Sequence, residues 1–144
     1  MLKGHRQRSD FNRKMADDAL TQMRSATDFE LVALYDTTTA AASAWNGGIA
    51  EPRSGDGKVA KFMEDQFDRC FYILRAVAVT LHKSTLEAPL SRQYQVEIAR
   101  VLLDWPHTGG GEFPMFLGTA HMLCEDEEQR VEAQREARRA RKAA

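Results

Sequence analysis

The sequence has few of the residues that build disulfide scaffolds or membrane spans. Only two of its 144 residues are cysteines, Cys70 and Cys124, and no CxxC motif occurs. We therefore predict two free, buried thiols in a reducing compartment. The first residues lack the apolar stretch of a secretory signal, and the longest apolar run, residues 70–81, is too short to cross a bilayer. These absences predict a cytoplasmic protein without a membrane-embedded segment.

β-Branched aliphatic residues are also scarce, which argues against a sheet. Isoleucine and valine together number 10, whereas alanine alone numbers 20. Alanine favours helices and β-branched residues favour strands, and no segment alternates apolar and polar residues over a sustained length. With 43% hydrophobic residues, the chain is long enough to bury a core of its own. The composition therefore predicts a globular, all-α protein.

Apolar spacing and capping residues predict five helices. Thr27 and Glu30 have the spacing of a capping box, which predicts the start of the second helix. The glycine-rich residues 46–57 and residues 107–111 predict loops, and Thr37-Thr38-Thr39 predicts a weak point in the second helix. The predicted helices are residues 10–25, 27–45, 58–86, 91–105 and 113 onward.

Residues 58–86 carry the strongest pattern in the chain. Their apolar residues follow alternating steps of four and three, and residues 70–81 are apolar nearly all round. We therefore predict a bundle of about five helices, with residues 58–86 as its central apolar helix. The predicted domain is residues 1–124, followed by a charged helical extension over residues 125–144. The apolar stripe is Val59, Met63, Phe67, Cys70, Leu74, Val77 and Leu81, and it is widened by Phe62, Phe71, Ile73, Ala78 and Val79.

One charged residue interrupts this central helix. Arg75 lies in its most apolar part. A buried arginine needs an acidic partner, for which Glu97 and Asp104 are the candidates. The alternative is that the Arg75 side chain reaches an edge of the core and extends its charge into water.

The charges are balanced overall but unevenly distributed. The net charge is −1, which argues against a general nucleic-acid coat protein. Both ends are nevertheless basic, and residues 125–128 are all acidic. Basic terminal segments can contact phosphates, so nucleic-acid binding is one functional alternative. Its candidate residues are Lys3, Arg6, Arg8, Arg135, Arg138, Arg139, Arg141 and Lys142.

The last helix also carries apolar residues that one bundle does not need to bury. Phe113, Met115, Phe116 and Met122 are candidates for a surface that contacts another protein. Methionine suits such surfaces because its flexible side chain adapts to irregular partners. A second copy of the chain is one candidate partner, since small helical bundles often form symmetric oligomers.

Signals for catalysis or metal binding are weak. No GxSxG or Glu-x-x-His motif occurs, and the glycines at 109–111 follow no predicted strand and have no P-loop lysine. His121 and Cys124 form only one ligand pair, where structural zinc sites usually have two. We therefore expect no cofactor and no metal, and we lean against an enzyme. Any such site would draw on His82, His107, His121 and Cys124.

Together these patterns favour a non-enzymatic interaction or regulatory protein that acts through protein–protein contacts. Small accessory or inhibitor factors of phages and plasmids are proteins of this kind. The first alternative is a nucleic-acid-binding accessory protein that uses its basic ends. The second is a metal-binding or enzymatic helical bundle. The sequence names no partner for any of them.

Overall fold

The protein is built from α-helices. A computed structural model describes residues 2–50, 57–87, 93–104 and 113–144, and of these it leaves out the side chains of residues 2–12 and 113. No strand occurs within the described ranges, so the predicted all-α fold is confirmed. Five helices lie in the same ranges: α1 (Leu2–Met23), α2 (Asp28–Ala50), α3 (Lys58–Glu87), α4 (Gln95–Asp104) and α5 (Phe113–Ala143).

The chain divides into two compact units, Met1–Thr80 and Leu81–Ala144. The first contains α1, α2 and most of α3, and the second contains the end of α3 with α4 and α5. The charged extension is the uninterrupted second half of α5. The predicted boundary at residue 124 between a bundle and an extension stays a prediction.

The capping box at the start of α2 is confirmed. The backbone amide of Glu30 donates to the Thr27 hydroxyl oxygen at 3.2 Å, and the amide of Thr27 donates to Glu30 Oε2 at 2.8 Å. The hydrogen bond from the Thr27 amide lowers the pKa of Glu30, because it stabilises the carboxylate. Two amides that lack helical partners are satisfied in this way, which fixes the residue at which α2 begins.

Two predicted helix ends are wrong. The first helix begins at Leu2 and not near Asp10, and α2 continues through residues 46–50, which were expected to start a loop. The packing of α2 against α3 explains why α2 continues through residues 46–50. A Cβ atom at Gly48 would lie 3.3 Å from the Met63 sulfur, so glycine allows α2 and α3 to approach closely here. The other predicted loop residues, 51–56 and 107–111, lie outside the described residues.

The predicted weak point at Thr37-Thr38-Thr39 does not interrupt α2. The helix runs through all three threonines. The Thr37 hydroxyl donates to the carbonyl oxygen of Ala33 at 2.9 Å, and Thr38 is buried. A hydroxyl that bonds to the preceding turn keeps its polar group satisfied without breaking the helix.

The apolar stretch of α3 is buried as predicted. Val77, Ala78 and Leu81 are fully inaccessible and Ala76 is 1% exposed, whereas Ile73 and Val79 are half-buried. The first two turns differ, because Val59 and Phe62 remain 59% and 55% exposed. The buried residues of α3 are Ala60, Cys70, Leu74, Ala76, Val77, Ala78 and Leu81.

In the second unit, α4 packs against α5. Ile98, Val101 and Leu102 of α4 are fully buried. On α5, Ala120 is fully buried and Phe116 is 1% exposed. These residues recur every three or four positions, which places them on one face of each helix. Within the described residues, no helix has both the length and the apolar character needed to cross a membrane.

Candidate protein-binding surfaces

An apolar groove runs along the outer edge of α4. Val96 and Leu103 are 57% and 42% exposed and lie seven residues apart, so they point in nearly the same direction two turns apart. With Cys124 of α5 they line a shallow groove of about 430 Å³. We call this the α4–α5 groove, and its lining is Val96, Ala99, Arg100, Leu103, Asp104 and Cys124.

The groove is apolar in its middle and charged at its margin. Arg100 and Asp104 contribute one charge of each sign to its lining. Nε of Arg100 donates to Glu97 Oε2 at 3.0 Å, so the Arg100 guanidinium is held at the margin of α4. Because Ala99 has a small side chain, the floor between Val96 and Leu103 is low. This shape accepts an apolar side chain from a partner.

The residues that the sequence analysis chose for protein contact do not all reach the surface. Met115 and Met122 are exposed, as expected. Phe116 is only 1% exposed, so its expected place on the surface is corrected. It is buried because it shares a helix face with Ala120 and Leu123, which form the core of the second unit. The side chain of Phe113 lies outside the described residues.

The two cysteines have different environments. Cys70 is buried, and burial raises the pKa of its thiol because the thiolate would lose solvation. Cys124 is exposed, so its predicted burial is wrong. It lies one residue beyond buried Leu123, at the edge of the buried face of α5, where it lines the α4–α5 groove.

A second apolar surface lies on the first unit. The rings of Trp45 and Phe62 meet edge to face, with centroids 6.1 Å apart. Phe62 and Val59 lie three residues apart on α3 and are both more than half exposed. Aromatic side chains are over-represented in the centres of protein interfaces. The sequence analysis had placed Val59 and Phe62 in the core, so this surface was missed.

A polar contact in the second unit was also missed. His82 Nδ1 lies 2.9 Å from the hydroxyl oxygen of buried Thr119, and the imidazole meets the Phe116 ring edge to face. Desolvation lowers the pKa of His82, and the nearby positive charge of Lys83 lowers it further. The contact joins α3 and α5 and holds a neutral imidazole in place. No local motif predicts it, because the two residues are far apart in sequence.

The candidate metal ligands are not assembled into a cluster by the part of the chain that the structure describes. Within those ranges, no three histidine, cysteine or acidic side chains are placed to hold an ion. His121 and Cys124 are exposed on α5, and His82 contacts Thr119. His107 lies outside the described residues.

The basic candidates divide between two helices. The side chains at the end of α5 are all exposed, and they are Arg135, Arg138, Arg139, Arg141 and Lys142. Lys3, Arg6 and Arg8 belong to the backbone of α1, but their side chains lie outside the described residues.

Two further charged side chains lie on α5 and α3. Arg130 pairs with Glu127 three positions earlier on α5, with Nε and Oε2 2.7 Å apart. Arg75 is half-buried between buried Leu74 and Ala76. Its pairing with Glu97 or Asp104 stays a prediction.

Similarity to known proteins assigns no function to this chain. Neither the known protein families, nor the curated proteins, nor the solved structures contain a match to it. The functional argument therefore rests on the surfaces described above: the α4–α5 groove, the surface around Phe62 and the charged half of α5.

Proposed function

We propose that this protein is a non-catalytic interaction or regulatory protein that binds a partner protein in the α4–α5 groove. One observation carries the proposal: Val96 and Leu103 are exposed two turns apart and line a single groove with Cys124. Their exposed apolar area is the part of α4 that its packing against α5 leaves uncovered. A partner that covers it gains roughly 25 cal/mol for each Å² of apolar surface removed from water.

The spacing of the groove residues favours a helical partner. Val96 and Leu103 are about 10 Å apart along α4, at a rise of 1.5 Å per residue. An amphipathic helix presents its own apolar residues at i, i+3 or i+4, and i+7, which covers the same distance. The partner surface that we propose is therefore one apolar face of a helix.

The charges at the margin of the groove bear on the orientation in which a partner helix binds. Arg100 and Asp104 lie one turn apart on α4 and carry opposite charges. Glu97 already pairs with Arg100 at 3.0 Å, so a partner helix with an acidic residue near Arg100 and a basic residue near Asp104 competes with existing contacts and gains only a weak preference for one orientation. Such rim charges add more to specificity than to affinity.

Site-specific photo-crosslinking in the cells that make the protein tests the proposal. A photoreactive residue replaces Leu103 in one version of the chain and Glu97 in the other. Both positions are exposed on α4, but Glu97 does not line the groove. Crosslinked proteins are then identified by mass spectrometry.

We expect position 103 to capture one defined protein that position 97 does not capture. A crosslink from position 103 to a second copy of this chain would instead identify the groove as a self-contact. Equal capture from both positions, or none from either, would overturn the proposal.

A second candidate function is nucleic-acid binding by the end of α5. The observation in its favour is that all five basic side chains between Arg135 and Lys142 are exposed. Neutralising phosphates with such residues releases counterions, so the binding constant falls steeply with salt. We expect any binding to weaken as salt is raised and to disappear when residues 129–144 are deleted. Binding that survives the deletion would exclude these residues as the contact.

A further inference from the structure

The second half of α5 is a helix without a core. From Cys124 to Ala144 every residue is exposed except Glu127 and Val131, which are half-buried. This stretch of about 20 residues is roughly 30 Å long at the usual rise per residue. Most of the stability of helices in proteins comes from packing of an apolar face, and this stretch buries almost none of its surface. The stretch is therefore a surface that gains from a partner helix.

One face of this stretch has an apolar residue at its centre, with charges of opposite sign before and after it along the helix. A shallow depression of about 400 Å³ lies over Val131. On this face Glu127 and Glu128 lie before Val131, and the basic residues lie after it, with Glu132 at the edge of the depression beside Val131. The basic residues follow at steps of three or four and are Arg135, Arg138 and Lys142.

We propose that this face binds the same face of a second copy of the chain, with the two helices antiparallel and crossing at Val131. In this arrangement a residue that precedes Val131 in one copy faces the residue that follows Val131 by the same number of positions in the other copy. Glu127 of each copy, which also accepts from Arg130 of its own helix, then faces Arg135 of the other copy, and Glu128 lies close to the same arginine. The parallel, in-register arrangement would place Glu127 against Glu127, which is repulsive. Charge complementarity therefore selects the antiparallel copy.

The depression over Val131 supports the same geometry. Its lining includes Glu128, Val131, Glu132 and Arg135, which are residues i, i+3, i+4 and i+7 of a helix. Four residues in this relationship form the hole that accepts one side chain of a facing helix. In the antiparallel pair that side chain is Val131 of the second copy. This inference does not depend on the proposed function, because it uses none of the residues of the α4–α5 groove except Cys124 in the test below.

Cysteine crosslinking distinguishes the two orientations. In the antiparallel pair the two Cys124 residues are 14 positions apart along the axis, about 21 Å, which is far beyond the roughly 7 Å limit for a disulfide. Val131→Cys in a Cys124→Ser background places two thiols at the crossing point. Gln129→Cys in the same background is the matched control, since residue 129 lies about 200° around the helix from residue 131.

We expect the Val131→Cys variant to form a disulfide-linked dimer under mild oxidation. The Gln129→Cys variant and the wild-type chain with Cys124 should form little or none. A linked dimer through Cys124 would show a parallel pair, and equal crosslinking at positions 129 and 131 would show random collision. Either result overturns the proposal.

Sedimentation equilibrium on nuclease-treated protein supplies an independent measurement. The dimer dissociation constant should rise about tenfold or more between 0.1 M and 1 M salt, as the Debye length falls from about 10 Å to about 3 Å. Replacing Glu127 and Glu128 with arginine should abolish the dimer, and so should replacing Arg135 and Arg138 with glutamate. An equimolar mixture of these two variants should restore it. Circular dichroism shows whether each variant remains helical.

Two results of sedimentation would contradict the inference. One is a monomer at every salt concentration and protein concentration tested. The other is a dimer that forms only when RNA or DNA is left in the sample, which would assign the basic residues to nucleic acid. Both are distinct from failure of the proposed function, which is read from crosslinking at position 103.

Discussion

His82 Nδ1 and the hydroxyl oxygen of Thr119 lie 2.9 Å apart, although 37 positions separate the two residues in the sequence. The contact ties the end of α3 to α5 within the second unit. The partly buried imidazole has a lowered pKa, chiefly because burial disfavours its charged form. The folded state therefore binds fewer protons at this histidine than the unfolded state does, which makes stability depend on pH.

The first prediction follows from this lowered pKa. The free energy of unfolding should fall as the pH is lowered from about 6.5, the ordinary histidine value, through the lowered pKa of His82. Above pH 6.5 the contribution is fully present, because both states are then neutral. Urea titrations of the wild type and of His82→Gln at a series of pH values measure the difference.

The control for this prediction is Thr119→Val. It removes the hydroxyl but keeps the imidazole desolvated, and desolvation is the larger cause of the pKa shift. Thr119→Val should therefore keep the pH dependence that His82→Gln loses. If His82→Gln shows the same pH dependence as the wild type, His82 does not carry it.

The second prediction concerns the start of α2. Thr27→Ala removes the hydroxyl oxygen that accepts from the Glu30 amide, and should cost about 1 kcal/mol of stability. Thr37→Ala is the matched control. The Thr37 hydroxyl is exposed and only donates to the preceding turn, so its loss should change stability little. Chemical denaturation of both variants gives the comparison, and equal losses would show that the cap does not stabilise α2.

The third prediction concerns the core of α3. Leu81 is fully inaccessible, so Leu81→Ala should cost about 2–5 kcal/mol through lost burial and the cavity that remains. Leu86 lies on the same helix but is 62% exposed, and Leu86→Ala should change the free energy of unfolding by less than about 0.5 kcal/mol. Denaturant melts of the two variants provide the measurement. Similar costs would mean that the buried stretch of α3 is not where stability is concentrated.

The fourth prediction concerns thiol reactivity. A thiol reagent such as Ellman's should modify Cys124 of the native protein quickly, because its side chain is exposed. Cys70 should react only when the protein unfolds, since it is buried and its pKa is raised. Cys124→Ser should remove the fast phase and leave the slow one. A fast phase that persists in Cys124→Ser would place Cys70 within reach of solvent.

The local features of this fold could be predicted from the sequence. The capping box at Thr27 and Glu30 and the apolar stretch of α3 are encoded within a few turns of chain, so spacing alone predicts them. Spacing does not show how far neighbouring helices cover a face. For that reason Val59 and Phe62 were placed in the core, although they are exposed.

The features that depend on distant residues could not be predicted. Asn46–Ala50 remain helical although two of these residues are glycines, and Gly48 meets Met63 across two helices. The His82–Thr119 contact likewise joins residues that are far apart in the sequence. The α4–α5 groove needs the positions of two helices to be known together, so the sequence suggested Met115 and Met122 but not Val96 and Leu103.

The most direct test of the protein-binding account is a calorimetric titration with the partner captured at position 103. Leu103→Asp places a charge in the groove and should weaken binding at least about tenfold, or roughly 1.4 kcal/mol. Leu86→Asp, at an exposed leucine that does not line the groove, should bind within about twofold of the wild type. A Leu103→Asp protein that is folded and binds as tightly as the wild type would contradict the account.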